Sequence, residues 1–159
     1  MKFPRSIRLD SSDQQVFHLA AAPGEWAVPG AFAFQGRDPT SFDSKDKLAF
    51  RSGWLGTESF GHATLVEVAE IEEAAFFQVV ERLARHFVAH LGAPDLAAAL
   101  PAARQQADDA AGLCDHKTGS LLALERDWTD EGIVERFRVI QPSRSKDHAR
   151  IWEIVEDGE

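Results

Sequence analysis

Hydrophobic positions recur three and four residues apart over one long stretch of this chain. From Ile71 to Leu91, the residues Phe76, Val80, Leu83, Phe87 and Leu91 fall on one side of a helical wheel. Glu73, Gln78, Glu81, Arg82 and Arg85 mostly fall on the other. The pattern predicts an amphipathic helix, ended by Gly92-Ala93-Pro94. Asp95 then stands as the cap of a second helix, whose stripe is Leu96, Ala99, Leu100, Ala103, Ala107, Ala110 and Cys114. Nearly all of that stripe is alanine, so the helix can lie close against its neighbour. Pro101 lies inside it and predicts a kink or a split, because an interior proline costs about 3 kcal/mol.

The period shortens to two in the last third. Leu121–Arg126, Ile133–Ile140 and Ala149–Val155 read as strands. Near the other end, Ser6–Asp10 alternates like a short strand, and Ser12 with Gln15 has the form of a capping box before a short helix. Glu25–Val28 and Ala31–Phe34, joined by Pro29-Gly30, predict a hairpin. A short helix is expected over 45–52, closed by Gly53 in the left-handed conformation. Trp54–Gly61 then reads as a glycine-punctuated connection, and His62–Glu70 as a strand. Strands at both ends around a helical middle define the expected fold class, α+β. The expected architecture is an antiparallel sheet of about five to seven strands, with the long helix and the kinked alanine-rich helix on one face. At 159 residues the chain fits one domain, with loose ends expected at about 1–3 and 155–159.

Composition narrows the function classes. The 17 Lys and Arg against 26 Asp and Glu give a formal charge of −9, which repels a phosphate backbone or an anionic membrane surface. Arg136, Arg138, Arg144, Lys146 and Arg150 make a basic cluster near the C-terminus, and a solvated strand face accounts for it; no nucleic acid is expected. A single cysteine, Cys114, allows no intrachain disulfide. No apolar run follows the N-terminal basic residues and none is long enough to span a bilayer, so a cytoplasmic protein is expected.

The chain shows no phosphate-binding glycine loop, no Cys-x-x-Cys pair and no Gly-x-Ser-x-Gly elbow, Thr57 standing where Gly56–Gly61 would need a different pattern. No catalytic residue is therefore assigned and no cofactor is expected. His86 and His90 stand one helical turn apart, the spacing by which two imidazoles share a metal ion, but no third ligand is adjacent and Phe87 stands where a zincin needs glutamate. Cys114 and His116 pair a thiol with an imidazole, yet Cys114 continues the alanine stripe and reads as core. The aromatics are more telling. Trp26, Phe32, Phe34, Phe42, Phe50, Trp54 and Phe60 crowd the N-terminal third, with Arg51 and His62 among them. Such a set builds a core, an interface or a ligand pocket.

Ser6–Asp10, Pro23-Gly24-Glu25-Trp26-Ala27-Val28, Gly53-Trp54-Leu55-Gly56 and Ser59-Phe60-Gly61 together resemble an uncharacterised bacterial family of small proteins of about this length. The resemblance implies a bacterial cytoplasmic protein and brings no catalytic residue with it. Three readings follow. The first is a non-enzymatic binding or accessory protein, using its aromatic N-terminal surface for a protein partner or a homodimer. The second is a small-molecule binder with a pocket around Trp26, Arg51, Trp54 and His62. The third is a metal-dependent enzyme using His86 and His90. The first asks for no chemistry that the residues fail to show.

Overall fold

A computed structural model describes residues 1–142 and 152–156. Eight strands and four α-helices follow one another along them. They are β1 (Lys2–Ile7), α1 (Ser12–Val16), β2 (Ala27–Val28), α2 (Ser44–Ser52), β3 (Trp54–Gly56), β4 (His62–Ala63), β5 (Leu65–Glu70), α3 (Glu73–His90), α4 (Leu96–Gly112), β6 (Leu121–Thr129), β7 (Gly132–Pro142) and β8 (Trp152–Glu156). The fold is α+β with two antiparallel sheets, one of five strands in the order β1-β5-β6-β7-β8 and one of three in the order β2-β3-β4.

Strand alternation sets the layers. Ser6, Val66, Leu122 and Val139 are in register across the large sheet and all are buried. Val66, Val68, Leu122, Leu124 and Val139 pack with Ala27 and Trp54 from the small sheet. The next residues along, Val28 and Leu55, point the other way and pack with α3 and α4. The small sheet thus lies between the large sheet and the helical pair. A third cluster, Phe17, Phe34, Phe42, Ala49 and Phe50, fills the space beside α2.

The long helices keep their predicted periods. Phe76, Val80, Leu83 and Phe87 are buried, whereas Leu91 lies just past the last turn and is exposed. Ala99, Ala103, Ala107 and Ala110 are buried, whereas Leu100 of the expected stripe is exposed, and α4 runs unbroken through Pro101, which is also exposed. Asp95 caps α4 by accepting from the Ala98 N–H at 2.8 Å. Cys114 is buried, and that burial pushes its thiol up to about 12, so it is a core residue and not a nucleophile at neutral pH.

The N-terminal third departs from expectation in several places. Met1–Phe3 is not loose: Lys2 and Phe3 belong to β1, and Phe3 is fully buried against Trp26 and Phe76. Ala31–Phe34 is a 3-10 turn and no hairpin arm. Gly30 does take a positive φ of 80° after Pro29, but β2 pairs with the distant β3, and Phe34 leaves for the third cluster. The cap of α1 is Ser11 and makes no side-chain cap bond, while Ser12 donates its N–H to Asp10. The reciprocal capping box forms instead at α2, between Asp43 and Asp46. Gly53 has an ordinary φ of −89°; it is glycine because a Cβ there would lie 2.7 Å from the Ala49 oxygen and 2.9 Å from His62. Trp54–Gly56 is a buried strand, not a connection.

Candidate functional site

The four residues expected to form a pocket are not brought together. Trp54 is 0% exposed and packs between the sheets against Phe137. His62 sits on the other side of the small sheet, its ring 5.8 Å from both Phe17 and Phe34. Burial pushes this imidazole down to about 4, with the Arg126 and Arg37 charges adding to the effect, so it is neutral at pH 7. Trp26 is half-buried, edge-on to Phe3, with the Arg5 guanidinium 5.7 Å from its ring centroid. Arg51 lines a cleft beside α2 that the other three do not border.

The aromatic crowd is correspondingly spent inside the protein. Phe34 meets Phe50 edge-on at 5.3 Å and Phe42 at 6.2 Å, and all three are buried. Phe32 packs edge-on to Phe87 of α3 at 4.9 Å. These rings close the gaps between short elements that lack enough length to bury themselves.

The cleft beside α2 has a volume of about 520 Å³. One wall is α2 and the residues before it: Phe42, Lys47, Leu48, Phe50 and Arg51. The other is the end of β6, with Arg126, Asp127 and Trp128. Trp128 lies parallel to Phe50, with 4.6 Å between centroids and 2° between planes, and remains 39% exposed. Lys47 and Arg51, one turn apart on α2, are exposed and make no ion pair or hydrogen bond among the described residues.

Arg126 holds these walls together. Its side chain is fully buried and donates to the carbonyls of Phe50 and Gly53 at 3.0 Å and of Ala49 at 3.3 Å. It also donates to the carbonyl of Pro29, and its Nε reaches Glu135 Oε2 at 2.7 Å. Burial lowers its basicity, Glu135 opposes that, and the guanidinium stays charged. The carbonyls of Phe50 and Gly53 at and just past the end of α2 are thus given a donor by a cation from β6, which also adds a bond to the Ala49 carbonyl that already accepts from the Gly53 N–H. The alternation of β6 puts Arg126 on the buried row after Leu122 and Leu124, but its charge reads as an exposed residue until its acceptors are seen.

A second buried anchor is Glu25, 2% exposed. Its carboxylate accepts from the Ala22 N–H at 2.5 Å, the Ser59 N–H at 2.7 Å, the Ser59 hydroxyl at 2.8 Å and the Glu58 N–H at 3.1 Å. It ties the Thr57–Gly61 turn to the Ala21–Gly24 loop.

His86 and His90 do lie side by side, with ring centroids 4.8 Å apart, at a cleft of about 350 Å³. Phe60 stacks on His86 at 3.9 Å and holds a positive φ of 56°. Burial and the neighbouring His90 lower the His86 pKa. Glu58 borders the same cleft but is 3.3 Å from Arg82, and no third metal-binding side chain converges there among the described residues. A three-residue group does converge at His18, Asp43 and Asp46, where His18 Nε2 is 2.7 Å from Asp43. Those two carboxylates are engaged in capping α2, and a helix N-terminus disfavours a cation.

The basic cluster is a solvated face where it is described. Arg136 lies 3.1 Å from Asp127 and Arg138 lies 3.4 Å from Glu125 on the outer side of the sheet. Arg144, Lys146 and Arg150 lie outside the described residues. Among those residues, no helix is long and apolar enough to cross a membrane.

A two-sheet α+β fold with an aromatic cleft defines a class by architecture alone. The chain belongs to a family of unknown function, DUF6505, whose model matches residues 1–154. Neither the curated proteins nor the solved structures offered a match.

Proposed function

We propose that this protein binds a small molecule in the cleft between α2 and the end of β6. One observation carries the reading: a cleft of about 520 Å³ with the Phe50–Trp128 stack on its walls and, at its edge, two cations without a partner among the described residues. Ligand sites typically occupy about 300–1,000 Å³, with apolar walls and a few polar groups that fix orientation. The partner or homodimer reading drew on the N-terminal aromatics as a surface. Trp54, Phe34, Phe42 and Phe50 are buried, which leaves Trp26, Phe32 and Phe60, each partly buried, as its aromatic contact residues. A metal-dependent reaction at His86 and His90 lacks a converging third ligand among the described residues.

The test is a thermal-shift screen of metabolites on the full chain, repeated on Trp128→Ala. A ligand at a hundred times its Kd stabilises by about 2.7 kcal/mol, which in a chain of this size is roughly 5–11 °C. The expected result is a hit that loses its shift in Trp128→Ala. Shifts that survive that substitution, or none across the whole set, overturn the reading.

A further inference from the structure

We infer that the occupant of the α2 cleft is a flat conjugated ring bearing one anionic group, a carboxylate or a phosphate; the inference rests on the reading of that cleft as a ligand site. The ring half follows from Trp128. Phe50 lies parallel to the indole at 4.6 Å and fixes its plane, and Trp128, which borders the cleft, is still 39% exposed. A planar ring laid parallel to it extends the stack, with offset rings 4.5–7 Å apart as the favoured geometry. An aliphatic ring offers no such face.

The anionic half follows from charge bookkeeping around the cleft. Four charged residues border it: Lys47, Arg51, Arg126 and Asp127. Arg126 is matched by Glu135 and by the carbonyls it holds. Asp127 is turned to Arg136 on the outer side of the sheet, 3.1 Å away. Lys47 and Arg51 remain, with no carboxylate against either among the described residues, in a chain whose formal charge is −9. In a protein so rich in acids, two adjacent cations left unmatched at a cleft are available to a ligand. The end of α2 does not oppose an anion there, because Arg126 already occupies the carbonyls of Ala49, Phe50 and Gly53. Arg51 can grip a carboxylate or phosphate with two parallel N–H donors, and Lys47 adds a second charge from the preceding turn.

The experiment is calorimetric titration of the full chain with four probes: 2-naphthoate, 2-naphthamide, cyclohexanecarboxylate and adenosine monophosphate. Each is repeated on the Lys47→Gln/Arg51→Gln double variant and on Trp128→Ala. The expected result is that 2-naphthoate or the nucleotide binds at least tenfold tighter than 2-naphthamide and cyclohexanecarboxylate, and which of the two does so separates a carboxylate from a phosphate ligand. That preference collapses in the double variant, and the affinity itself is lost in Trp128→Ala. Equal affinity for the acid and the amide overturns the inference while leaving the cleft a binding site. No binding of any probe also overturns it, and a Trp128-dependent hit in the metabolite screen would then still support the cleft. Lys47, Arg51 and Trp128 are exposed, so both variants are expected to fold, and circular dichroism of each checks this before titration.

Discussion

Replacing Arg126 by methionine removes five hydrogen bonds while keeping most of the side-chain volume. Glu135 keeps access to water, and the Ala49 carbonyl keeps the Gly53 N–H at 2.9 Å. The carbonyls of Pro29, Phe50 and Gly53 lose the donor that Arg126 provides. An unmade bond to a buried acceptor costs about 1–3 kcal/mol, and breaking a buried charged network from one side costs about 3–5 kcal/mol in all. Methionine cannot recover this, because the groups left behind are backbone and not a replaceable partner. The expected loss is therefore about 3–5 kcal/mol, roughly 6–20 °C in Tm for a chain of this size. Urea unfolding followed by far-ultraviolet circular dichroism reads it as a lower midpoint at unchanged slope. Glu135→Gln removes the counter-charge of the fully buried Arg126 guanidinium but leaves its carbonyl bonds in place, and should cost about 1–3 kcal/mol, less than Arg126→Met. If Arg126→Met falls within about 1 kcal/mol of the wild type, the clamp between β6 and α2 is not what fixes that wall of the cleft.

Two further outcomes follow from the buried polar groups. His62 has its folded-state pKa pushed from 6.5 to about 4, so the unfolded chain takes up a proton that the folded one refuses. Stability is complete above pH 6.5 and falls as pH drops towards 4; between pH 7 and pH 5 the loss assigned to His62 is about 2 kcal/mol. His62→Gln should remove that part of the pH dependence, and an unchanged slope in the variant would sink the assignment. Gly56→Ala would place a Cβ 2.5 Å from Glu25 Oε1 and displace the carboxylate that holds the Thr57–Gly61 turn, at a cost of about 2–4 kcal/mol. In a Glu25→Ala background the same change should cost far less; additive losses would show that the clash is not with Glu25.

The long helices were legible because each repeats its apolar spacing over several turns, and no strand interpretation satisfies Phe76, Val80, Leu83 and Phe87 together. The strands of the last third were legible for the same reason at period two. Short elements were not. Ala27–Val28 and Trp54–Gly56 are two and three residues long and pair with each other across the intervening chain, so no local pattern marks them. The segment Ala31–Phe34 alternates like a strand, yet its rings serve two different clusters: Phe32 packs on α3 and Phe34 on Phe50. The aromatic crowding was visible, but its purpose depended on which elements met, and most of it closes the core. Arg51 was visible as a candidate as well. Its setting was not, since the second wall of the cleft comes from Arg126–Trp128, far along the chain, and only the pairing of β6 beneath α2 brings Trp128 to Phe50. A strand-borne arginine also reads as exposed until its tertiary acceptors are known.

The measurement that tests the cleft most directly is a ¹H–¹⁵N correlation spectrum of the full chain titrated with 2-naphthoate. Saturable shifts at the backbone amides of Lys47, Phe50 and Arg51 and at the indole N–H of Trp128, with those beside His86 and His90 unmoved, are the predicted result. Shifts centred on the His86–His90 cleft, or scattered and unsaturable over the surface, would contradict it.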